Sequence, residues 1–98
     1  MSPASDHKPV KLEREYVIRN RYGIHARPAA MLVKTASRFK ADITVEKGTV
    51  RVSGKSIMGL MTMEASCGSM IRVVAEGEDA EQALDEIARL VENKFYEE

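Results

Sequence analysis

The sequence predicts an α+β fold, an open-faced β-sandwich in which a four-stranded antiparallel sheet is covered on one face by three helices. The predicted element order is β-α-β-β-α-β-α. Two kinds of periodicity point to it. Runs such as KLEREYVI and MIRVVAE alternate apolar and polar residues, whereas the stretches starting at Pro28 and Ala80 repeat apolar residues at helical spacing. Length is the third observation: ninety-eight residues hold one core and leave no room for another.

Each element has its own signal. In residues 11–18, Leu12, Arg14, Tyr16 and Ile18 alternate against charged neighbours before the run turns apolar at Val17, an imperfect alternation that predicts the first strand. NRYG then reads as a turn. From Pro28, the series Ala29, Leu32, Val33, Ala36 gives a helix that should fade near Phe39. ADITVE and TVRVS predict a hairpin turning at Lys47-Gly48, with Ile43 and Val45 alternating in one arm and Val50 and Val52 in the other. SIMGLMTM predicts a short apolar helix, and MIRVVAE a strand with Ile71, Val73 and Ala75 on one face. In the last helix, Asp79 and Gln82 form a capping-box pattern, and Ala80, Ala83, Leu84, Ile87, Ala88 and Val91 form a buried stripe.

Composition excludes several classes of function. Fifteen basic residues balance fifteen acidic ones, so bulk charge favours neither nucleic acid nor an anionic membrane. No stretch approaches the roughly 18 apolar residues of a membrane span. The single cysteine, Cys67, permits no intrachain disulfide and no cysteine-rich zinc site. MSPASDHKPV lacks the apolar core of a secretory signal, so a reducing cytoplasm is the expected location. Residues 1–10 are expected to form a mobile polar tail with a solvated His7, and residues 11–98 the domain.

The chemistry concentrates in GIHARPAA, residues 23–30. Proline fits the first turn of a helix, where its missing N–H has no partner to lose. The helix therefore starts either at Pro28 or at Ala26, and crowding of the residue before proline favours Pro28. His25 falls beside the N-cap in both cases. Free N–H groups and the helix dipole favour an anion there, and the Arg27 guanidinium can grip a phosphate. Gly23 allows the bend that turns the imidazole toward them. Transient phosphorylation of the ring and an ordinary surface cap both fit these features. No Asp, Glu, Cys or second His stands at ligand spacing from His25, so no metal is expected.

GKS at 54–56 invites a nucleotide-binding reading, which fails because the first glycine of that motif would fall on Thr49. Ser56 is then either a helix cap for IMGLM or a phosphorylation site. Ile57, Met58, Leu60, Met61 and Met63 are too dense for one buried face. They form either a partly exposed docking patch or an all-round buried helix.

Taken together, GIHARPAA and GKSIMGLM resemble the active-site and regulatory-site segments of the HPr family. These are the histidine phosphocarriers of the bacterial phosphoenolpyruvate-dependent phosphotransferase system. AEGEDAEQAL is similar to the start of that family's last helix, and the resemblance spans about residues 12–93. It implies that His25 is phosphorylated at Nδ1 by phosphorylated enzyme I and passes the group to a histidine of an EIIA-type protein. It further implies that Arg27 and Pro28 complete the active site, and that Ser56 is modified by an HPr kinase/phosphorylase. Ala26, Ala30, Lys34, Ile57, Met58 and Met61 would line one docking surface. The expected molecule is a monomeric carrier with no cofactor and no turnover of its own. The stretch SIMGLMTMEASCGSMIRVVAEGEDAEQAL resembles nitrogen-type regulatory carriers as much as sugar-transport ones, so a mainly regulatory role is the alternative. An RNA-binding reading of the same β-α-β-β-α-β order fails, because TVRVS and MIRVV offer no aromatic to stack on a base.

Overall fold

Strand β1 (Lys11–Val17) leads into helix α1 (Ala26–Ala36) and then the hairpin β2 (Asp42–Lys47) and β3 (Val50–Ser53). A short helix α2 (Ile57–Thr62), strand β4 (Met70–Glu76) and the long helix α3 (Ala80–Glu92) complete the predicted order. This is a computed structural model, which describes residues 10–97. The expected tail, with His7, lies outside the described residues except for Val10, whose carbonyl accepts the Gly77 N–H at 2.8 Å.

All strand pairs are antiparallel, and the sheet order is β1-β4-β2-β3. Register explains why one face is apolar. Leu12 and Ile43 both stand opposite Ala75, Tyr16 opposite Ile71, and Val45 opposite Val73. With a side-chain period of two, this stacks the apolar residues on one face and sends Glu13, Glu15, Glu46 and Arg72 to the other. There Arg72 bridges Glu13 at 3.7 Å and Glu46 at 3.8 Å. The three helices cover the apolar face, burying Leu32 of α1, Leu60 of α2, and Leu84 and Ile87 of α3. The open-faced sandwich expected from periodicity is the fold.

Several details differ from expectation, each for a local reason. Lys47 pairs with Val50 and stays in the strand, so the hairpin turns at Gly48-Thr49, with Gly48 at φ +59°. Only a residue tolerant of positive φ fits that turn. Val50, the first residue of edge strand β3, is 41% exposed, whereas Val52 packs against the core. Leu90 takes a place in the α3 stripe, and Ala88 is only half-buried.

The expected capping box is absent. Asp79 is the N-cap of α3, but its φ/ψ of −101°/24° is not extended and its side chain makes no cap bond. Instead its carboxylate accepts the N–H groups of Lys40 and Ala41, each at 2.9 Å, and so clamps α3 to the start of β2. The Lys40 bond, aided by that from Ala41, holds the Asp79 carboxyl below the usual carboxylate range, against a smaller opposing effect of desolvation.

Candidate functional site: a histidine at the start of α1

The loop leading to His25 is held from both sides. Gly23 donates its N–H to Asn20 O at 3.2 Å, and Ile24 donates to Ala65 O at 2.8 Å. Gly23 has φ +68°, and a Cβ there would run into the Ala65 carbonyl, so only glycine fits. Ile24 is buried at 4% exposure and anchors the turn. His25 follows as the N-cap, extended at φ −95° and ψ −163°.

Helix α1 therefore begins at Ala26, which corrects the preference for Pro28 as its first residue. Pro28 is the third helical residue, whose N–H would still lack an intrahelical acceptor. Its ring needs clearance from the carbonyl four residues back. That carbonyl belongs to Ile24, outside the helix, so the proline causes no kink. Pro28 is buried and fixes the first turn.

The imidazole makes no cap hydrogen bond, so it does not act as an ordinary helix cap. Its side chain is 43% exposed. The neighbouring N–H groups of Ala26 and Arg27 have no intrahelical acceptor, and the first turn of α1 carries no acidic residue. Arg27 is exposed and lines an open cleft of about 470 Å³ with Arg21, Tyr22, Tyr96 and Glu97. Among the described residues, neither guanidinium is paired with a carboxylate; Arg21 instead lies 5.5 Å over the Tyr22 ring. The Tyr22 and His25 rings meet edge to face at 6.3 Å. On the other side, His25 Nε2 lies 3.1 Å from Glu97 Oε2.

The sequence singled out His25, Arg27 and Pro28, and they fall within one turn. It missed Arg21, Tyr22, Tyr96 and Glu97. Arg21 and Tyr22 stood inside a stretch read only as a turn, next to the motif. Tyr96 and Glu97 carried no local signal, because only folding brings them near residue 25.

Ser56 is the N-cap of α2, extended at φ −121°, and its Oγ accepts the Gly59 N–H at 3.0 Å. Its capping role is therefore real. Leu60 of α2 and its C-cap Met63 are buried while Ile57, Met58 and Met61 are exposed, Met58 at 77%. The helix is thus two-sided rather than buried all round. Helix α1 packs against α2, and Ala26, Ala30 and Lys34 form an exposed line along α1 at four-residue spacing. No group of three or more metal-ligating side chains occurs among the described residues, and none of their helices is long and apolar enough to cross a membrane.

Comparison with known proteins gives a consistent answer. Residues 12–93 match the family described as the PTS HPr component phosphorylation site. The chain is 54% identical to the phosphocarrier protein HPr of Treponema pallidum over 79 residues, which cover 81% of this chain and 90% of the relative. It is 44% identical to the phosphocarrier protein NPr of Shewanella violacea, covering 89% and 96% respectively. Its fold superposes on the crystal structure of an HPr from Thermoanaerobacter tengcongensis with a TM-score of 0.85 and 46% identity, over 89% of this chain and 98% of the other. With matches of this extent in sequence and in fold, the chain belongs to the HPr family of phosphocarrier proteins.

Proposed function

We propose that His25 accepts a phosphoryl group from phosphorylated enzyme I and passes it to a histidine of an EIIA-type protein. One observation carries this reading: an exposed imidazole, free of any capping bond, beside helix N–H groups and an Arg27 that meets no carboxylate among the described residues. Phosphoryl transfer asks a protein mainly for position and charge stabilisation, and these residues offer both. Nδ1 is the attacking atom, because Nε2 faces the Glu97 carboxylate and so bears the ring proton. Arg27 binds the equatorial oxygens as their charge develops, and Pro28 holds the turn that aims both side chains. The chain acts as a carrier without turnover, in the cytoplasm, as a monomer.

The exposed line Ala26, Ala30, Lys34 on α1 and the patch Ile57, Met58, Met61 on α2 form the docking surface shared by donor and acceptor. Ser56 borders that patch, and an HPr kinase/phosphorylase phosphorylates it to slow docking. Phosphate there remains beside the Gly59 N–H, so the fold tolerates it, while its charge opposes desolvation under a partner. Resemblance to an NPr at 44% identity supports the second reading, a carrier serving regulation rather than sugar uptake.

The test is to mix the chain with enzyme I and labelled phosphoenolpyruvate. Acid-labile, alkali-stable label that disappears in His25→Ala supports the assignment. Undiminished labelling of that variant sinks it.

A further inference from the structure

Beyond residue 93, where the family match ends, the chain makes one turn through Lys94, Phe95 and Tyr96 at φ of 54°, 54° and 58°. Such left-handed backbone is sterically unfavourable for a non-glycine residue, so something must hold it. Phe95 is fully buried in the core, and the Tyr96 and Glu97 N–H groups bond to Asn93 O and Lys94 O at 2.8 and 3.0 Å. The result is to carry Glu97 back over the start of α1.

There the carboxylate is gripped at both oxygens. Oε2 lies 3.1 Å from His25 Nε2, and Oε1 accepts from Asn20 Nδ2 at 3.0 Å. Asn20 is fully buried, and its amide also donates to Gly23 O at 2.7 Å, within the turn that presents His25. Its Oδ1 finds no donor among the described residues, so the two bonds made by Nδ2 set its orientation. Only 18% of the Glu97 side chain is exposed. A carboxylate held so firmly has one orientation to offer the imidazole.

We infer that Glu97 is a positioning residue for phosphoryl transfer at His25, fixing the ring proton on Nε2 and steadying the charge the ring acquires; this rests on the carrier reading above. In the first transfer, the Nδ1 lone pair forms the new bond to phosphorus. The bond from phosphorus to the donor breaks, and its electron pair stays with the donor. Nε2 keeps its proton, so the phosphorylated ring carries a positive charge that faces the Glu97 carboxylate. In the onward transfer the nitrogen–phosphorus bond breaks, its pair returns to Nδ1, and the neutral ring is restored with its proton still on Nε2. Arg21 and Arg27, across the cleft, balance the repulsion between Glu97 and the incoming phosphoryl oxygens.

The test compares the parent chain with Glu97→Ala and Glu97→Gln, all carrying ¹⁵N-labelled histidine, with His7→Ala used to assign the signals. Ring ¹⁵N shifts report the tautomer, and enzyme I-dependent labelling from phosphoenolpyruvate gives kcat and KM. The parent should show the proton on Nε2. Glu97→Ala should populate the other tautomer and lower kcat by about 3- to 10-fold with KM for the chain unchanged. Glu97→Gln, which can still accept from Nε2 but carries no charge, should keep the tautomer and lose part of the rate. Thermal melts matching the parent separate these effects from unfolding. A labelled parent with unchanged tautomer and rate in Glu97→Ala, or a faster variant, overturns the proposal alone. A parent that takes no label overturns the carrier reading and the proposal with it.

Discussion

Arg27 and lysine carry the same formal charge, yet they should not be equivalent beside His25. A guanidinium offers a planar fork to two phosphoryl oxygens, whereas an ammonium offers one compact point of charge. Arg27→Ala should slow transfer by on the order of 10²-fold, and Arg27→Lys should recover little of it in the same labelling assay. Transfer at the parent rate in Arg27→Ala would remove the residue from the site. The neighbouring glycine sets a different kind of limit. Gly23→Ala must displace the Ala65 carbonyl and take up positive φ. Loss of at least about 2 kcal/mol is expected, measured by urea unfolding. His25, Arg27 and Gly23 were legible in the sequence because they are contiguous and each has a strong conformational or chemical signature. Glu97 was not, since nothing in KFYEE records that three successive residues turn left-handed.

Among the elements, the start of α3 behaves differently from its sequence. Asp79 followed by Gln82 spells a reciprocal cap, but the carboxylate leaves its own helix to bind the chain entering β2. A local pattern cannot report that a tertiary donor has outcompeted a local one. The consequence is a pH effect of definite sign. Because Asp79 is held below its ordinary value in the folded protein, its contribution is present above the unfolded-state value. It is lost as pH falls through the lower folded-state value. Asp79→Asn should therefore flatten the acid side of a stability–pH profile, with its largest effect near neutrality and none in strong acid. A profile parallel to the parent's would contradict the clamp. In α2 the periodicity left open whether the helix is buried all round or partly exposed. The six-residue helix resolves it by burying Leu60 and leaving Met58 outward. Met58→Glu should weaken encounters with both enzyme I and the acceptor by raising KM, with His25 still chemically competent. Unchanged KM for both would remove the patch from the docking surface.

At the scale of the whole molecule, alternation and helical spacing made the layer architecture readable, because each strand and helix has to hide one face. Strand order was less accessible, since pairing β4 between β1 and β2 depends on registers that no single run encodes. That arrangement also decides how the site is mounted. Strands β1 and β4 continue beyond their last paired residues through Ile18, whose N–H bonds to Ser69 O and whose carbonyl accepts from Gly68. One more bond, from Ile24 to Ala65, fastens the turn just ahead of His25. Amide hydrogens in this region should consequently exchange with deuterium on two very different clocks. The Ile24 amide, bonded and buried, should wait for opening of the sheet, whereas those of Ala26 and Arg27 should exchange at near-unprotected rates. Within two residues the chain passes from the most protected kind of backbone to the least. A phosphoryl oxygen that engages the Ala26 and Arg27 N–H groups would slow only the second clock, so exchange before and after phosphorylation would reveal which amides meet the group.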